Sequence, residues 1–212
     1  MSLGHFIAFE GGEGCGKSTQ ARLLAEALQD RGREVVLTRE PGGTPGAEAI
    51  RSLLLDPPAG EGWGAKAEAL LFAAARADHV AKLIRPALAR GAWVVCDRFV
   101  DSSRAYQGGA GELGDEAITA LHDFGSDRLR PDLTLVVEVP PDDAASRLRA
   151  RDGSASDAIG GRDGSYHAGV ARAFAAIAEA ASDIVRVDGS GSPEEVHVRV
   201  LDILATRTGF SA

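Results

Sequence analysis

The sequence predicts an α/β fold, a five-stranded parallel sheet with helices on both faces and a small lid. Short apolar runs alternate along the chain with longer segments whose apolar residues recur at helical spacing, as in parallel sheets joined by crossover helices. A glycine-rich loop also joins the first apolar run directly to the first helical segment. We assign residues 1–212 to a single domain, since this length suffices for one hydrophobic core.

The composition is that of a soluble globular protein, with 44% hydrophobic and 25% charged residues. The formal net charge of −8 argues against a nucleic acid polymer as partner. Cys15 and Cys96 give neither a disulfide framework nor a metal-binding spacing, so we expect reduced thiols and a cytoplasmic location. We also expect no signal peptide and no membrane partner, because no apolar run approaches membrane-spanning length.

The first strand and helix enclose a phosphate-binding motif. Residues 5–9 are typical of a buried strand, residues 19–28 are typical of a helix, and residues 11–18 fit the P-loop pattern G-x-x-x-x-G-K-[ST]. In such a loop backbone N–H groups converge on an anion, Lys17 reaches the β- and γ-phosphates, and Ser18 can bind Mg²⁺. A plain glycine-rich turn is the alternative. The motif does not identify the nucleotide or its fate.

The second strand is predicted at residues 34–38, and the Pro- and Gly-rich segment 38–44 follows it. Ligands gather at the carboxyl ends of parallel strands, but an ordinary loop has the same composition. A short helix over 45–55 and a Gly-rich loop over 59–64 come next.

A long helical pattern covers residues 65–90, with a kink or boundary near Pro86. On it Phe72 and Arg76 are four residues apart, so they share one face of the helix. An aromatic ring and a guanidinium there could stack on a planar base and hydrogen-bond its edge. A core phenylalanine beside a surface arginine is the simpler interpretation.

The third strand, residues 92–96, is followed by acidic and basic residues. Asp97 resembles the Walker B aspartate, which holds Mg²⁺ directly or through water, and Arg98 could bind a second phosphate. An ion pair that closes the strand is the alternative. The helix that follows brings Tyr106 and Gln107, a ring and an amide, one turn later.

The second half of the chain continues the alternation. The predicted elements are a helix at 115–125, a strand at 133–139, a helix from 140, a helix at 166–181, a strand at 183–187 and a helix from 192 to 204. Arg147, Arg149 and Arg151 alternate before residues 152–165, which have little hydrophobic pattern. A loop beside an arginine cluster is expected of a phosphate-covering lid, which we place at about 147–165, although a solvated loop fits too. Since alternate positions do not share a helical face, some of these arginines point elsewhere or the helix ends there.

Several segments together resemble the thymidylate kinase family of P-loop nucleoside monophosphate kinases, in the bacterial-type form. They read FEGGEGCGKSTQ at 9–20, TREPGGT at 38–44, LFAAAR at 71–76, DRFVDS at 97–102, AYQG at 105–108 and RLRAR at 147–151. The P-loop is common to many families, whereas TREPGGT with DRF and AYQ is much more specific. The resemblance implies transfer of the γ-phosphoryl of MgATP to dTMP, giving dTDP and ADP for dTTP biosynthesis, by a homodimer.

The resemblance also implies a role for individual residues. The ATP phosphates would be held by Gly11, Gly12, Glu13, Gly14, Cys15, Gly16, Lys17, Ser18 and Thr19. Catalysis would involve Lys17, Asp97, Arg98, Arg149 and Arg151, and Mg²⁺ would lie at Ser18 and Asp97, directly or through water. dTMP would be bound by Glu10, Arg39, Pro41, Phe72, Arg76, Arg98, Ser102, Tyr106 and Gln107. Within that set Phe72 would stack on thymine, Arg76 would bond its edge and Arg98 would bind the phosphate.

The chain departs from the family pattern in its lid. The family usually has Asp-Arg there, whereas Ala158 follows Asp157, so one lid arginine is missing or displaced, with Arg162 as a substitute. Another P-loop small-molecule kinase and a P-loop nucleotide-binding switch are the alternative functions. The chain contains no Asn and therefore lacks the Asn-Lys-x-Asp guanine signature of switches, and a second phosphate site at Arg98 also argues against a switch.

Overall fold

The computed structural model describes residues 4–57, 62–152 and 160–208. Five parallel strands form one sheet in the order β2-β3-β1-β4-β5. The strands are β1 Phe6–Glu10, β2 Val35–Arg39, β3 Trp93–Asp97, β4 Leu133–Glu138 and β5 Ile184–Asp188. The predicted sheet is confirmed, and every strand lies within one residue of its predicted bounds.

Helices connect these strands. They are α1 Lys17–Asp30, α2 Pro45–Leu55, α3 Ala65–His79, α4 Arg85–Ala89, α5 Val100–Ser103, α6 Asp115–Ser126, α7 Pro141–Asp152, α8 Gly164–Ala180 and α9 Pro193–Thr208. Two π-helical segments extend them, Val80–Ile84 between α3 and α4 and Arg104–Ala110 after α5. The predicted helical pattern over 65–90 is confirmed, with a wider π-helical turn just before Pro86. Proline lacks the N–H group and its ring clashes with the preceding turn, which accounts for the boundary there.

Helices cover both faces of the sheet, as predicted. Ile7 and Phe9 of β1 pack with α1 and α9, whereas Phe6 and Ala8 face the opposite core, which includes the π-helical turn Val80–Ile84. This alternation follows from the period of two along a strand. All five residues of β1 are buried, in keeping with the central place of this strand. In the described ranges, no helix combines the length and the apolar character needed to cross a membrane.

The sheet brings its functional residues to one edge. In the pairing of the strands Asp97 lies opposite Arg39 of β2 and Phe9 of β1. The carboxyl ends of β1, β2 and β3 therefore meet beside the loop that begins at Gly11. That loop requires glycine, since Gly11 has φ of +134° and an added Cβ would lie 2.3 Å from the carbonyl oxygen of Val137.

Candidate active site

A cavity of about 430 Å³ opens at this carboxyl edge of the sheet. Fifteen of the residues predicted for the site line it, and they are Glu13, Gly14, Gly16, Lys17, Ser18, Thr19, Arg39, Pro41, Phe72, Arg76, Asp97, Arg98, Ser102, Tyr106 and Gln107. Residues far apart in the chain thus share one cavity, with the P-loop on one side and the segments around Phe72 and Arg98 on the other.

The P-loop holds its lysine against its own backbone. Lys17 begins α1, is buried, and its Nζ donates a hydrogen bond of 2.6 Å to the carbonyl oxygen of Gly12. The same nitrogen lies 3.5 Å from the Sγ of Cys15. Gly16 precedes the helix with φ of +99°. It has no side chain, so it does not cap the N–H groups of the first turn. A cation at a helix N-terminus is suited to an anionic ligand.

Ser18 and Asp97 meet where β3 ends. The Ser18 hydroxyl donates a short hydrogen bond to Oδ2 of Asp97, although 79 positions separate the two residues. Oδ1 of Asp97 is buried and has no hydrogen-bond partner in the part of the chain that the structure describes. A hydroxyl oxygen beside an unpaired carboxylate oxygen is a donor set that a hard divalent cation prefers. The predicted pair is therefore brought together in a form that fits Mg²⁺.

Arg98 lies between the P-loop and the helix that follows β3. Its Nη1 donates to the Gly11 carbonyl at 3.1 Å and to Ser102 Oγ at 3.0 Å, and its Nη2 donates to Glu13 at 2.5 Å and to the Tyr106 hydroxyl at 3.2 Å. Its φ of +70° is a left-handed conformation that costs a residue with a side chain about 1 kcal/mol or more. Strain of this kind persists where the surroundings fix the residue, as these contacts do.

Glu10 lies under the cavity and does not line it. Its carboxylate accepts hydrogen bonds from the Phe99 and Ser102 amides at 2.8 and 2.9 Å and from the Ser102 hydroxyl at 2.5 Å. Burial, together with the nearby charge of Asp101, raises the pKa of Glu10 to about 7. In this structure Glu10 holds the segment that carries Arg98.

Phe72 and Arg76 both face the cavity from α3, in contrast to the simpler interpretation of a core ring and a surface cation. Arg76 is only 3% exposed. Its Nε donates to Glu40 at 2.7 Å, and its Nη2 donates to Ser103 Oγ at 2.9 Å. A buried cation needs such an acid, and Glu40 supplies it from the 38–44 segment.

The segment 38–44 is part of the cavity wall through Arg39, Glu40 and Pro41. Glu40 was not among the residues predicted for the site. Its carboxylate bonds both Arg76 and Nδ1 of His79, the latter at 3.0 Å, while Nε2 of His79 lies 2.8 Å from the Thr38 hydroxyl. The only sequence signal was an acid inside a segment already linked to ligand binding.

The alternating arginines of α7 lie in different surroundings. Arg147 lines the cavity and donates to the carbonyl oxygen of Gly189 at 3.1 Å, whereas Arg149 is exposed and lies outside the cavity lining. The helix continues to Asp152, so alternate positions cannot share a face. Arg147 was not among the residues predicted for the site, although the spacing of the three arginines shows that they occupy different faces of the helix. The Arg151 side chain and residues 153–159, with Ala158, lie outside the described part.

The chain has a strand, a phosphate-binding loop and a helix in succession, with a second candidate phosphate site at Arg98 beside them. This combination defines a P-loop NTPase of the nucleoside monophosphate kinase type. The family model described as thymidylate kinase matches residues 9–200. The chain belongs to the thymidylate kinase family. The resemblance inferred from its sequence is confirmed, and so is a kinase activity, in preference to a nucleotide-binding switch.

Individual relatives agree with this assignment. A thymidylate kinase of Rhizorhabdus wittichii is 56% identical over 203 residues, which cover 95% of this chain and 97% of the relative. A thymidylate kinase of Caulobacter vibrioides is 43% identical over 211 residues, which cover 99% of this chain and 100% of the relative. The crystal structure of thymidylate kinase from Ehrlichia chaffeensis superposes with a TM-score of 0.76 at 32% identity, covering 95% and 99% of the two chains.

Proposed function

We propose that this chain transfers the γ-phosphoryl group of MgATP to dTMP, giving dTDP and ADP, in the synthesis of dTTP. One observation supports this above others: a single cavity has a P-loop lysine at one side and, at the other, Arg98 with Phe72 and Arg76. Two phosphate-binding regions within one cavity suit a donor and an acceptor nucleotide.

The donor side is the P-loop. ATP phosphates lie against residues 11–19, where Lys17 exchanges its bond to the Gly12 carbonyl for the β- and γ-phosphates. Ser18 and Asp97 hold Mg²⁺, because the unpaired Oδ1 of Asp97 and the Ser18 hydroxyl fit a hard cation. Bound there, Mg²⁺ reduces the charge repulsion among the phosphates.

The acceptor side is formed by the predicted dTMP-binding residues. Phe72 stacks on thymine, Arg76 bonds its edge, and Tyr106 lies against the deoxyribose. Arg98 binds the 5′-phosphate, and the remaining members of the set are Glu10, Arg39, Pro41, Ser102 and Gln107. Glu10 acts through the segment that it holds, since it does not line the cavity.

The reaction itself is a direct displacement. An oxygen of the dTMP phosphate attacks the γ-phosphorus while the bond to the bridging oxygen of ADP breaks, and no covalent enzyme intermediate forms. Lys17 and Arg98 position the two nucleotides and stabilise the charge of the transferring group. Arg149 and Arg151 belong to the lid segment at about 147–165 of this single P-loop kinase domain. They add positive charge that stabilises the transferring phosphoryl group. Arg147 already lies at the cavity wall.

The assembly that we propose is a homodimer in the cytoplasm. Phe124 of α6 is 91% exposed and Leu70 of α3 is 56% exposed, and these two helices pack against each other. Exposed apolar side chains on neighbouring helices are a feature of interaction surfaces. The free thiols of Cys15 and Cys96 fit a reducing compartment.

The experiment that tests the function measures ADP release from MgATP with dTMP, dUMP, UMP, dCMP, AMP and GMP as separate acceptors. We expect strong activity with dTMP, weak activity with dUMP and almost none with the others. Activity with a different nucleotide alone would retain the kinase and reject the thymine pocket. ATP binding without transfer to any acceptor would reject the proposal.

A further inference from the structure

Gln107 separates two cavities. It lies on the π-helical segment Arg104–Ala110, is 3% exposed, and lines both the active-site cavity and a second cavity of about 250 Å³. The second cavity is also lined by Trp63, Glu68, Arg162 and Tyr166. Groups behind Gln107 can therefore determine which atom of its amide faces the active site.

The group directly behind Gln107 is the carboxylate of Glu68. Nε2 of Gln107 donates to Oε1 of Glu68 at 2.8 Å, in a buried environment. The other carboxylate oxygen, Oε2, accepts a short hydrogen bond from Nη2 of Arg162. The Glu68 carboxylate thus accepts from both neighbours, Gln107 on one oxygen and the Arg162 cation on the other.

Arg162 is itself fixed in place. Its Nη1 donates to the Tyr166 hydroxyl at 2.5 Å, and its guanidinium carbon lies 4.6 Å from the centre of the Tyr166 ring. The Tyr166 hydroxyl in turn donates to the carbonyl oxygen of Tyr106 at 3.0 Å, next to Gln107. The acceptor behind Gln107 thus belongs to a connected network that returns to the same π-helical segment.

This arrangement fixes the orientation of the Gln107 amide. Since Glu68 accepts only, the amide nitrogen must point toward it, and the carbonyl oxygen is the atom left for the active-site cavity. Without Glu68 a half-turn of the terminal torsion would exchange donor and acceptor at little cost. An acceptor in the pocket favours a base whose edge carries an N–H group. Thymine has such a donor at N3, whereas N3 of cytosine is an acceptor.

We propose that Glu68 is a positioning residue for base specificity. Held by Arg162, it locks the Gln107 amide with its carbonyl oxygen toward the base and so selects a pyrimidine with an N3–H donor over cytosine. This inference rests on the proposed reaction with dTMP. Glu68 lines only the second cavity and acts on the substrate through Gln107.

The test compares kcat/KM for dTMP and for dCMP. A first measurement on the wild-type enzyme establishes that dTMP is phosphorylated at all. Glu68→Gln keeps the size of the side chain but offers an amide that can donate or accept. The Gln107 amide is then no longer fixed in one orientation. We expect kcat/KM for dTMP to fall about tenfold, mainly through a higher KM for dTMP. The ratio of kcat/KM for dTMP to that for dCMP should fall at least as much. KM for ATP should not change.

Two further variants separate positioning from a general structural role. In a Gln107→Met background, which has no amide to orient, adding Glu68→Gln should change the dTMP/dCMP preference no further. The exchange Glu68→Gln with Gln107→Glu reverses the donor and the acceptor and again presents an oxygen to the pocket. We expect it to restore a large part of the preference. This exchange also gives a test if Glu68→Gln alone fails to fold.

Glu34→Gln is the matched control. It makes the same chemical change in another Glu–Arg pair, Glu34 with Arg90 at 2.6 Å, which is exposed and distant from the cavity. It should leave both kinetic constants at their wild-type values. A Glu68→Gln enzyme that keeps the wild-type preference, or loses it equally in the Gln107→Met background, would overturn the inference. A wild-type enzyme inactive on dTMP would instead overturn the proposed function.

Discussion

At the scale of single residues, acids from distant segments pair with the cations of the cavity, of which Arg76 is buried and Arg98 is half-buried. Arg98 pairs with Glu13 of the P-loop, and Arg76 pairs with Glu40 of the 38–44 segment. A buried charge without a partner is strongly unfavourable, so these pairs stabilise the arginines before any phosphate arrives. Glu13 also links the P-loop to Arg98, which connects the donor and acceptor sides of the cavity.

Lys17→Ala tests the donor side. The variant loses the one lysine of the P-loop, and charge stabilisation in phosphoryl transfer is worth roughly 100- to 1,000-fold in rate for each group. We expect kcat to fall at least 100-fold in a steady-state assay of ADP release. Lys66→Ala, at an exposed position near the start of α3, is the control and should retain wild-type activity. A Lys17→Ala enzyme with more than a tenth of the wild-type kcat would contradict this role.

Arg98→Ala tests the acceptor side. Loss of a charge-assisted contact to the dTMP phosphate should raise KM for dTMP by about 10- to 100-fold, with a much smaller change in KM for ATP. The comparison is Arg22→Ala, which removes an arginine from an exposed pair with Glu26. If KM for dTMP stayed at its wild-type value, Arg98 would have no direct part in binding the acceptor.

Glu10 gives the free energy of unfolding a pH dependence. Its pKa of about 7 in the folded protein exceeds the ordinary value of 4.5, so the folded state binds more protons than the unfolded state between these pH values. Stability therefore falls as pH rises through this window, by roughly 3 kcal/mol from this group. Denaturant titrations at several pH values should give a flatter profile for Glu10→Gln than for the wild type. Parallel profiles for the two proteins would contradict the raised pKa.

At the scale of elements, the sequence predicted each strand because a buried parallel strand is a short apolar run with clear ends. The order β2-β3-β1-β4-β5 could not be predicted, since the runs resemble one another and carry no information about their neighbours. The π-helical turns were also beyond prediction, because they keep the helical spacing of apolar residues. Pro86 indicated only that a boundary was near.

Gly11→Ala tests the backbone of the P-loop. The added Cβ would lie 2.3 Å from the carbonyl oxygen of Val137, at a φ of +134° that side chains rarely adopt. We expect a loss of about 2 kcal/mol or more in the free energy of unfolding, measured by denaturant titration. Gly12→Ala is the matched control, since nothing lies within 4 Å of its added Cβ. Equal stability of the two variants would show that the loop shifts to make room for a side chain at position 11.

At the scale of the whole molecule, the candidate site could be predicted where a motif places chemistry at the end of a strand. Asp97 and the P-loop were assigned on that basis. Glu40, Arg51 and Arg147 were not, although all three line the cavity. Their roles were missed because their partners lie far away in the sequence, Arg76 for Glu40 and Gly189 for Arg147. Pairing between Glu40 and Arg76, 36 positions apart, is a property of the folded chain.

For the whole molecule we predict that the proposed homodimer forms through α6. Phe124 is 91% exposed on α6, and burying such a ring contributes about 2 kcal/mol or more to association. Phe124→Asp would place a charge in the interface and should yield a monomer in light scattering coupled to size-exclusion chromatography. Val198→Asp is the control, because Val198 is also exposed but lies on α9, which packs against α1 on the opposite face of the sheet. A wild-type monomer, or a dimer that persists in Phe124→Asp, would reject this interface. Loss of the dimer in Phe124→Asp alone would place the interface at α6, a helix that contributes no residue to the lining of the active-site cavity.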